Sequence, residues 1–421
     1  MKKLIYVALT GVMAASLVAC KPQKEKPIYR ISIIGDYGNF EALEAEFERF
    51  KAIRDDVVLN YESVSDYKNK LATMLEGDEK PNIFFSYTWM AGNTKYNSVF
   101  SHMEDLSDPA LEMNLDCIRP GLLNHTSDNK VLMTPIFSRT YGVLVNENLF
   151  EKEGLQVPTT WDGLLEVCAA FREKGYDNPM MGYSKDASGT FMYNLAYPTF
   201  VAELAKNPGA LDKANNPDTT AGDPVAGEYM RSALNAVDQL IKQNCVNLEN
   251  CNKIEDNYGK VIIRFFDGDV PMMICGADTP SGTKKREKDS VPFQENPFAY
   301  SFHPIPVTEQ GGYFIDSPSV QFSVNKDCDN LDVTNEFMRF LLSDAELNNM
   351  SSIKRLVAPT KNLSFDSIYA PFANVPAERT FSPEMLGVKD IISSQIKIAS
   401  YKVGKGELTI DDAIAAYGTL K

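Results

Sequence analysis

The sequence predicts an α/β fold built on mainly parallel sheets, and two observations support this prediction. β-branched runs alternate with amphipathic helical patterns over about a hundred residues beyond the N-terminal segment, which is the order of a βαβαβ unit with right-handed crossovers. The chain also has 421 residues, of which 44% are hydrophobic. That length and composition predict more than one core, in two or three domains.

The elements of this unit follow one another at short intervals. YRISIIG (29–35) is the first strand, and NFEALEAEFERFKAI (39–53) is a helix with Asn39 placed as its N-cap. VVLNY (57–61) is the second strand, a second helix runs through Leu71 and stops at Gly77, and NIFF (82–85) is the third strand. The first helix has one apolar stripe, formed by Phe40, Leu43, Phe47, Phe50 and Ile53.

The carboxyl edge of the predicted sheet is where a ligand is expected, because open parallel sheets bind ligands at that edge. The segments GDYGN (35–39), ESVSD (62–66) and SYTW (86–89) follow the three strands. Tyr37, Tyr87 and Trp89 should therefore project from one edge as walls of a cleft. The alternative is that Trp89 folds back to cap the core, since aromatic side chains are usually buried for packing.

The N-terminus predicts export. Lys2 and Lys3 precede an uncharged run, 4–19, which is too short for a membrane span of about 20 residues and is typical of a secretory signal. Its end, LVAC, resembles a bacterial lipobox, although an ordinary signal peptide would also fit. We therefore expect a lipoprotein signal peptide at 1–19, lipidation of Cys20 and a flexible lipid-anchored linker at 20–27. The protein would lie in the cell envelope, on its periplasmic or extracellular face.

Charge and cysteine content restrict the partners. The formal net charge of −15 argues against nucleic acid and anionic membrane surfaces, so contact with a membrane is expected only through the lipid. Cys245 and Cys251 are spaced to close a short loop as a disulfide, whereas Cys275 lies in an apolar run and should be a buried small side chain.

No catalytic motif stands out. The three histidines are scattered without an HExxH pattern, and the chain has neither the GxSxG elbow nor P-loop glycine spacing. Asp267 and Asp269 flank a glycine in a series too short for a calcium loop. We therefore expect no enzyme activity, no cofactor and no metal site.

Four later segments resemble one family in order along the chain. NENLFEKEGL (146–155), PTTWD (158–162), FFDGDVPMMICGAD (265–278) and GGYFIDSPSVQFSVN (311–325) are similar to motifs of the family 1 extracellular solute-binding proteins of bacterial ABC importers. This large sugar-binding family includes maltose-binding protein. The motif residue Trp161 lies at a predicted helix start and is interpreted as a structural residue that pins the helix by packing.

The resemblance implies a two-lobed periplasmic-binding-protein-like fold, with helices flanking a mainly parallel sheet in each lobe and with a ligand cleft and hinge between lobes. Lobe one would comprise 28–138 plus 300–350, and lobe two 139–299 plus 351–421. The chain would cross between lobes near Arg139, His303 and Leu356. A monomer would capture a sugar or oligosaccharide and deliver it to ABC permease subunits. The alternatives are a non-sugar solute such as a polyamine, or capture of surface polysaccharide.

The ligand-binding candidates come from the strand-end argument and from motif position. Aromatic rings suit the apolar face of a sugar, and planar forks or carboxylates suit adjacent hydroxyls. Many family members have an aromatic residue near the position of Asp278 and glycines near the position of Asp316. The pocket of this chain is therefore expected to be more acidic, so that a cationic ligand is also compatible with it. The candidates are Asp36, Tyr37, Asn39, Tyr87, Trp89, Arg139, Tyr141, Tyr193, Asp278 and Asp316.

Overall fold

The computed structural model describes residues 27–421. The predicted signal peptide, Cys20 and all of the predicted linker except its last residue lie outside the described residues. Within 27–421, no helix is both long enough and apolar enough to cross a membrane.

The described chain alternates strands and helices from its start, as the periodicity predicts. In chain order, the strands are β1 Tyr29–Gly35, β2 Val57–Ser63, β3 Ile83–Ser86, β4 Thr134–Pro135, β5 Ser138–Arg139, β6 Gly142–Asn146, β7 Met180–Met181, β8 Met272–Cys275, β9 Tyr300–His303, β10 Phe314–Ile315, β11 Ser317–Pro318, β12 Gln321–Val324 and β13 Thr380–Phe381. The α-helices are α1 Glu41–Lys51, α2 Tyr67–Glu76, α3 Asn97–Ser101, α4 Glu147–Glu153, α5 Trp161–Glu173, α6 Phe191–Ala205, α7 Pro208–Asn215, α8 Pro224–Gly227, α9 Arg231–Lys242, α10 Leu248–Cys251, α11 Gly259–Phe265, α12 Thr283–Asp289, α13 Val291–Glu295, α14 Leu331–Leu341, α15 Asp344–Lys354, α16 Pro383–Leu386, α17 Asp390–Gly404 and α18 Ile410–Ala415.

The first lobe is built on a five-stranded sheet of order β2-β1-β3-β12-β4. β1 pairs in parallel with both β2 and β3, so the predicted βαβαβ unit is present. β12 returns antiparallel between β3 and β4. The parallel strands therefore end at one common edge, where β1 and β3 lead into the predicted cleft segments.

The first helix differs in detail from its prediction. α1 begins at Glu41, the residue at the N-cap position is Phe40, and no side chain caps the helix, so Asn39 is not the N-cap. Phe40, Leu43 and Phe50 are buried as expected. Ile53 lies beyond the end of the helix at Lys51 and is 66% exposed. The helical periodicity does not determine which residues are buried after the helix has ended.

The second lobe has a four-stranded sheet of order β7-β8-β6-β9. β6 pairs antiparallel with both β8 and β9, with His303 opposite Val143, and β7 pairs in parallel with β8. This sheet is therefore mainly antiparallel, which corrects the prediction of a mainly parallel sheet in each lobe. Phe302, Phe314 and Ile315 belong to the core of this lobe, whereas Val320 and Phe322 belong to the core of the first. The segment from 300 to about 316, which the sequence placed in lobe one, therefore packs with lobe two.

The lobes are joined where three chain segments meet. Ser138 and Arg139 of β5 pair antiparallel with Pro318 and Ser317 of β11, and Ser138 also forms a bridge with Val357. The first crossing is therefore at Ser138–Arg139 and the third is at Val357. The middle crossing lies at 317–318 instead of near His303, because β9 is held in the second sheet.

The candidate disulfide is absent from the structure. Cys245 and Cys251 are both buried free thiols. Cys245 contacts Cys168 of α5 instead, and this contact together with burial raises the pKa of the Cys168 thiol. Cys275 is buried in β8, as predicted.

Candidate functional site

A cleft of about 1900 Å³ lies between the lobes and is lined by residues of both. Among the sequence-predicted site residues, seven line it. They are Asp36, Tyr37, Asn39, Tyr87, Trp89, Arg139 and Asp278. The segment 62–66 contributes none of the lining side chains, and Lys68 of α2 lines the cleft in its place.

The wall from lobe one presents a stacked aromatic pair. The residues after β3 turn into a short 3-10 helix, Thr88–Met90, so that the chain leaves the sheet with Tyr87 and Trp89 on the same side. Their ring centroids are 5.7 Å apart and the rings are 15° from parallel. Trp89 is 39% exposed, so the side chain is not a buried cap on the core.

This aromatic wall is fixed by charge and hydrogen bonding. Tyr87 donates its hydroxyl to Asp36 Oδ1 at 2.5 Å, and burial together with the Asp36 carboxylate raises the pKa of Tyr87 well above its usual range. The ammonium of Lys68 lies 5.2 Å from the Tyr87 ring centroid and 5.7 Å from that of Trp89, within cation–π range. Lys68 Nζ is also 3.4 Å from Asp36 Oδ2.

The opposite wall carries an ion pair. Arg139 Nη1 donates to Asp278 Oδ2 at 2.6 Å, and Ser319 Oγ donates to Asp278 Oδ1 at 2.7 Å. The Asp278 carboxylate raises the pKa of Arg139 above its usual range. Both side chains are more than a third exposed, so the pair contributes little to folding stability. The pair leaves polar atoms at the cleft surface and neutralises the carboxylate.

Two predicted tyrosines lie behind the cleft surface. Tyr141 and Tyr193 are absent from the lining, and Tyr197 contributes to it. The Tyr141 ring packs 5.4 Å from that of Tyr197, and the Tyr193 ring lies 5.3 Å from the same ring. Tyr193 and Tyr197 are four residues apart on α6 and share a face, so the spacing could have drawn attention to Tyr197.

Asp316 does not line the cleft and is 5% exposed. Arg119 donates from Nε to Asp316 Oδ2 at 2.7 Å and from Nη2 to Oδ1 at 2.8 Å. Arg119 also donates to Ser138 Oγ and to the carbonyl oxygens of Ala358 and Thr360. Asp316 is thus part of a clamp across the three crossings, which corrects its prediction as a ligand-binding residue.

Sequence reasoning missed other lining residues of lobe two. Tyr258, whose hydroxyl lies 3.0 Å from Ser281 Oγ, lines the cleft, as does Glu384. Burial raises the pKa of Glu384 to about 7. These residues lie outside the quoted motifs, so no local pattern marked them.

The cleft has no arrangement that favours metal chemistry. Within residues 27–421 no cluster of three or more histidine, cysteine or acidic side chains is arranged to hold a metal ion. The cleft surface instead offers aromatic faces beside charged and hydroxyl groups. This combination suits a ligand that has both polar groups and apolar faces.

A family model described as bacterial extracellular solute-binding protein matches residues 35–347. Among curated proteins, the melibiose/raffinose/stachyose-binding protein MelE of Bacillus subtilis (strain 168) is 25% identical over 209 residues, which are 48% of this chain and 47% of that protein. The matched region thus spans about half the length of this curated relative.

Solved structures share the fold. RafE from Streptococcus pneumoniae, in its apo form, has a TM-score of 0.68 at 16% identity, covering 94% of this chain and 99% of that one. A sugar transporter from Bacillus licheniformis in complex with stachyose has a TM-score of 0.60 at 14% identity, covering 93% and 100%. At these identities the likeness establishes the two-lobed fold.

Proposed function

The chain belongs to the bacterial extracellular solute-binding proteins, and from this premise we propose that it captures a sugar or oligosaccharide between its lobes for an ABC importer. The observation that carries the proposal is the stacked pair of Tyr87 and Trp89 exposed in the interlobe cleft. Such rings pack against the C–H faces of pyranose rings, and the nearby polar groups can hydrogen-bond the hydroxyls. MelE and the Bacillus licheniformis transporter, whose names or complexes specify saccharides, support the same class.

Binding would shift a hinge equilibrium. Only a closed arrangement lets both cleft walls contact one ligand, so the ligand would favour closure through its differential affinity for that state. The closed monomer would then be recognised by permease subunits. No bond in the ligand would be broken.

Retention at the cell envelope would depend on Cys20. The extracellular family fits an envelope or extracellular location, and the LVAC sequence is the basis for proposing a lipid anchor there. Cys20→Ser should move the protein from the membrane fraction to the soluble fraction without changing its ligand affinity. Unchanged membrane retention of this variant would contradict the anchor.

The ligand class is tested with a thermal-shift panel on the full chain. The panel contains monosaccharides, melibiose, raffinose, stachyose, longer polysaccharides, polyamines and short peptides. A shift with short saccharides, together with compaction in small-angle scattering and no released product, supports the proposal. A shift with polyamines alone would overturn the sugar assignment. Binding restricted to long chains would instead indicate polysaccharide capture.

A further inference from the structure

The cleft differs in charge from the rest of the protein. Its lining within the described residues contains eight basic and five acidic side chains, so it carries a formal charge of about +3 before pKa shifts. The whole chain carries −15. Basic groups are therefore concentrated on the surface that would face the ligand, contrary to the acidic pocket expected from sequence.

The acidic groups of the cleft are largely neutralised. Asp278 is paired with Arg139, Asp36 with Lys68, and Glu41 Oε2 lies 3.5 Å from Lys354 Nζ. Burial raises the pKa of Glu384 to about 7, so this carboxyl is partly protonated near neutral pH. A cationic ligand would thus find few free carboxylates.

Several basic groups on α12 lack such compensation. Lys285, Arg286 and Lys288 line the cleft, and none of them forms an ion pair within 4.0 Å in the described part of the chain. Lys284 differs, because its ammonium donates to the carbonyl oxygens of Ser352 and Ile353. Arg286 is half-buried, and its guanidinium packs against Gly259, where an added Cβ would lie 2.8 Å from Nη2. Three basic groups are therefore available to a ligand along one helix.

We propose that the ligand is an anionic saccharide, whose carboxylate or sulfate groups are bound by Lys285, Arg286 and Lys288 while its ring stacks on the Tyr87–Trp89 wall. This inference rests on the proposed saccharide function and specifies its ligand class. Guanidinium binds such oxyanions through two parallel hydrogen bonds, and ammonium groups add point charges. The aromatic wall in the same cleft favours a saccharide over a free inorganic anion.

Matched ligand pairs test the charge. Isothermal titration of the full chain would use acidic oligosaccharides from galacturonan, glucuronoxylan and alginate against their carboxyl-reduced forms, and sulfated against desulfated galactan oligosaccharides. We expect at least one acidic ligand to bind about tenfold or more tighter than its neutral counterpart, with the difference shrinking as salt rises and shortens the screening length. The carboxylated and sulfated arms distinguish the two anion types.

Variants test the location. Two variants should lose most of the preference for the acidic ligand. The double variant combines Lys285→Gln with Lys288→Gln, and the triple variant adds Arg286→Gln. The double variant changes only exposed side chains, so it remains informative if the triple variant folds poorly. The control combines Lys152→Gln, Lys242→Gln and Lys253→Gln, whose side chains are 67%, 74% and 67% exposed outside the cleft lining, and should keep the preference.

The outcomes separate this inference from the function it rests on. Equal or tighter binding of every neutral form overturns the anionic class and leaves saccharide binding standing. A preference that persists in the α12 variants, or disappears in the control, overturns the assignment to these residues. Failure of all acidic and neutral saccharides to bind would overturn the proposed function itself.

Discussion

At the scale of single residues, the two tryptophans illustrate how position determines role. Trp89 is 39% exposed at the cleft and contacts Tyr87 and the edge of Tyr96. Trp161 begins α5, packs against the core of lobe two and donates its indole N–H to Gln239 Oε1 at 2.9 Å. Thr160 caps the same helix by accepting from the Gly163 amide. Trp161 thus has the structural position that the sequence predicts.

Trp89→Ala should weaken binding of the proposed saccharide by about fivefold to tenfold, because a stacking surface worth roughly 1–1.5 kcal/mol is lost. The free energy of unfolding should change by less than about 1 kcal/mol, since the side chain is not in the core. Titration calorimetry and urea denaturation would measure the two effects.

Trp161→Ala is the matched control, because it also replaces a tryptophan by alanine but at a position outside the interlobe cleft. This variant should lower stability by about 1–3 kcal/mol through lost packing and leave affinity unchanged. A Trp89→Ala protein that unfolds readily while its affinity persists would show that Trp89 is a packing residue.

At the scale of elements, local patterns predict β1, β2, β3 and α2 well, because each element is defined by neighbouring residues. The sheet to which β9 belongs is set by pairing with β6, about 155 residues earlier in the chain. The role of Asp316 depends on Arg119, at a separation of 197 residues. Long-range contacts of this kind leave no local periodic signal, so the hinge and part of the cleft could not be read from the sequence.

The contact between α1 and α15 contains a buried carboxyl group. Glu46 is 0% exposed, accepts from Asn349 Nδ2 at 2.6 Å and lies beside Glu346, which binds Arg49. Burial, followed by the neighbouring Glu346, raises the pKa of Glu46 to about 8. The Glu46 carboxyl is therefore largely protonated in the folded protein at neutral pH.

Glu46→Gln should stabilise the protein relative to wild type as pH rises. The folded-state pKa lies above the unfolded one, so wild-type stability from this group is fully present below about pH 4.5 and is lost as pH rises through about 8. A glutamine cannot ionise, so the variant should gain roughly 4 kcal/mol on wild type between about pH 5 and about pH 9.

Urea denaturation across that pH range measures the difference. Glu44→Gln, on the exposed face of the same helix, is the control and should follow the wild-type profile. Parallel pH profiles for wild type and Glu46→Gln would mean that the buried carboxyl does not change its protonation in this range.

At the scale of the whole molecule, one guanidinium connects the segments that join the lobes. Arg119 contacts Ser138 of the first crossing, Asp316 beside the second, and the carbonyl oxygens of Ala358 and Thr360 after the third. The Arg119 and Asp316 side chains are only 18% and 7% exposed. Since an outward motion of either lobe must turn the backbone near these crossings, Arg119 is placed to limit how far the hinge opens.

Arg119→Lys tests this clamp while keeping the charge. Lysine lacks the planar fork that binds both Asp316 oxygens, so part of a buried network would lose its partners, at a cost of about 2–4 kcal/mol in unfolding free energy. Small-angle scattering of the ligand-free variant should also give a larger radius of gyration, because the crossings are less constrained, and ligand should still compact the protein.

The control is Arg231→Lys, because the ion pairs of Arg231 with Glu228 and Asp411 are exposed. Its unfolding free energy should stay within about 0.5 kcal/mol of wild type. A destabilised Arg119→Lys protein with wild-type scattering would show that the clamp supports folding but does not limit hinge opening. An Arg119→Lys protein with wild-type stability would show that the clamp contributes neither to folding stability nor to the limit on hinge opening.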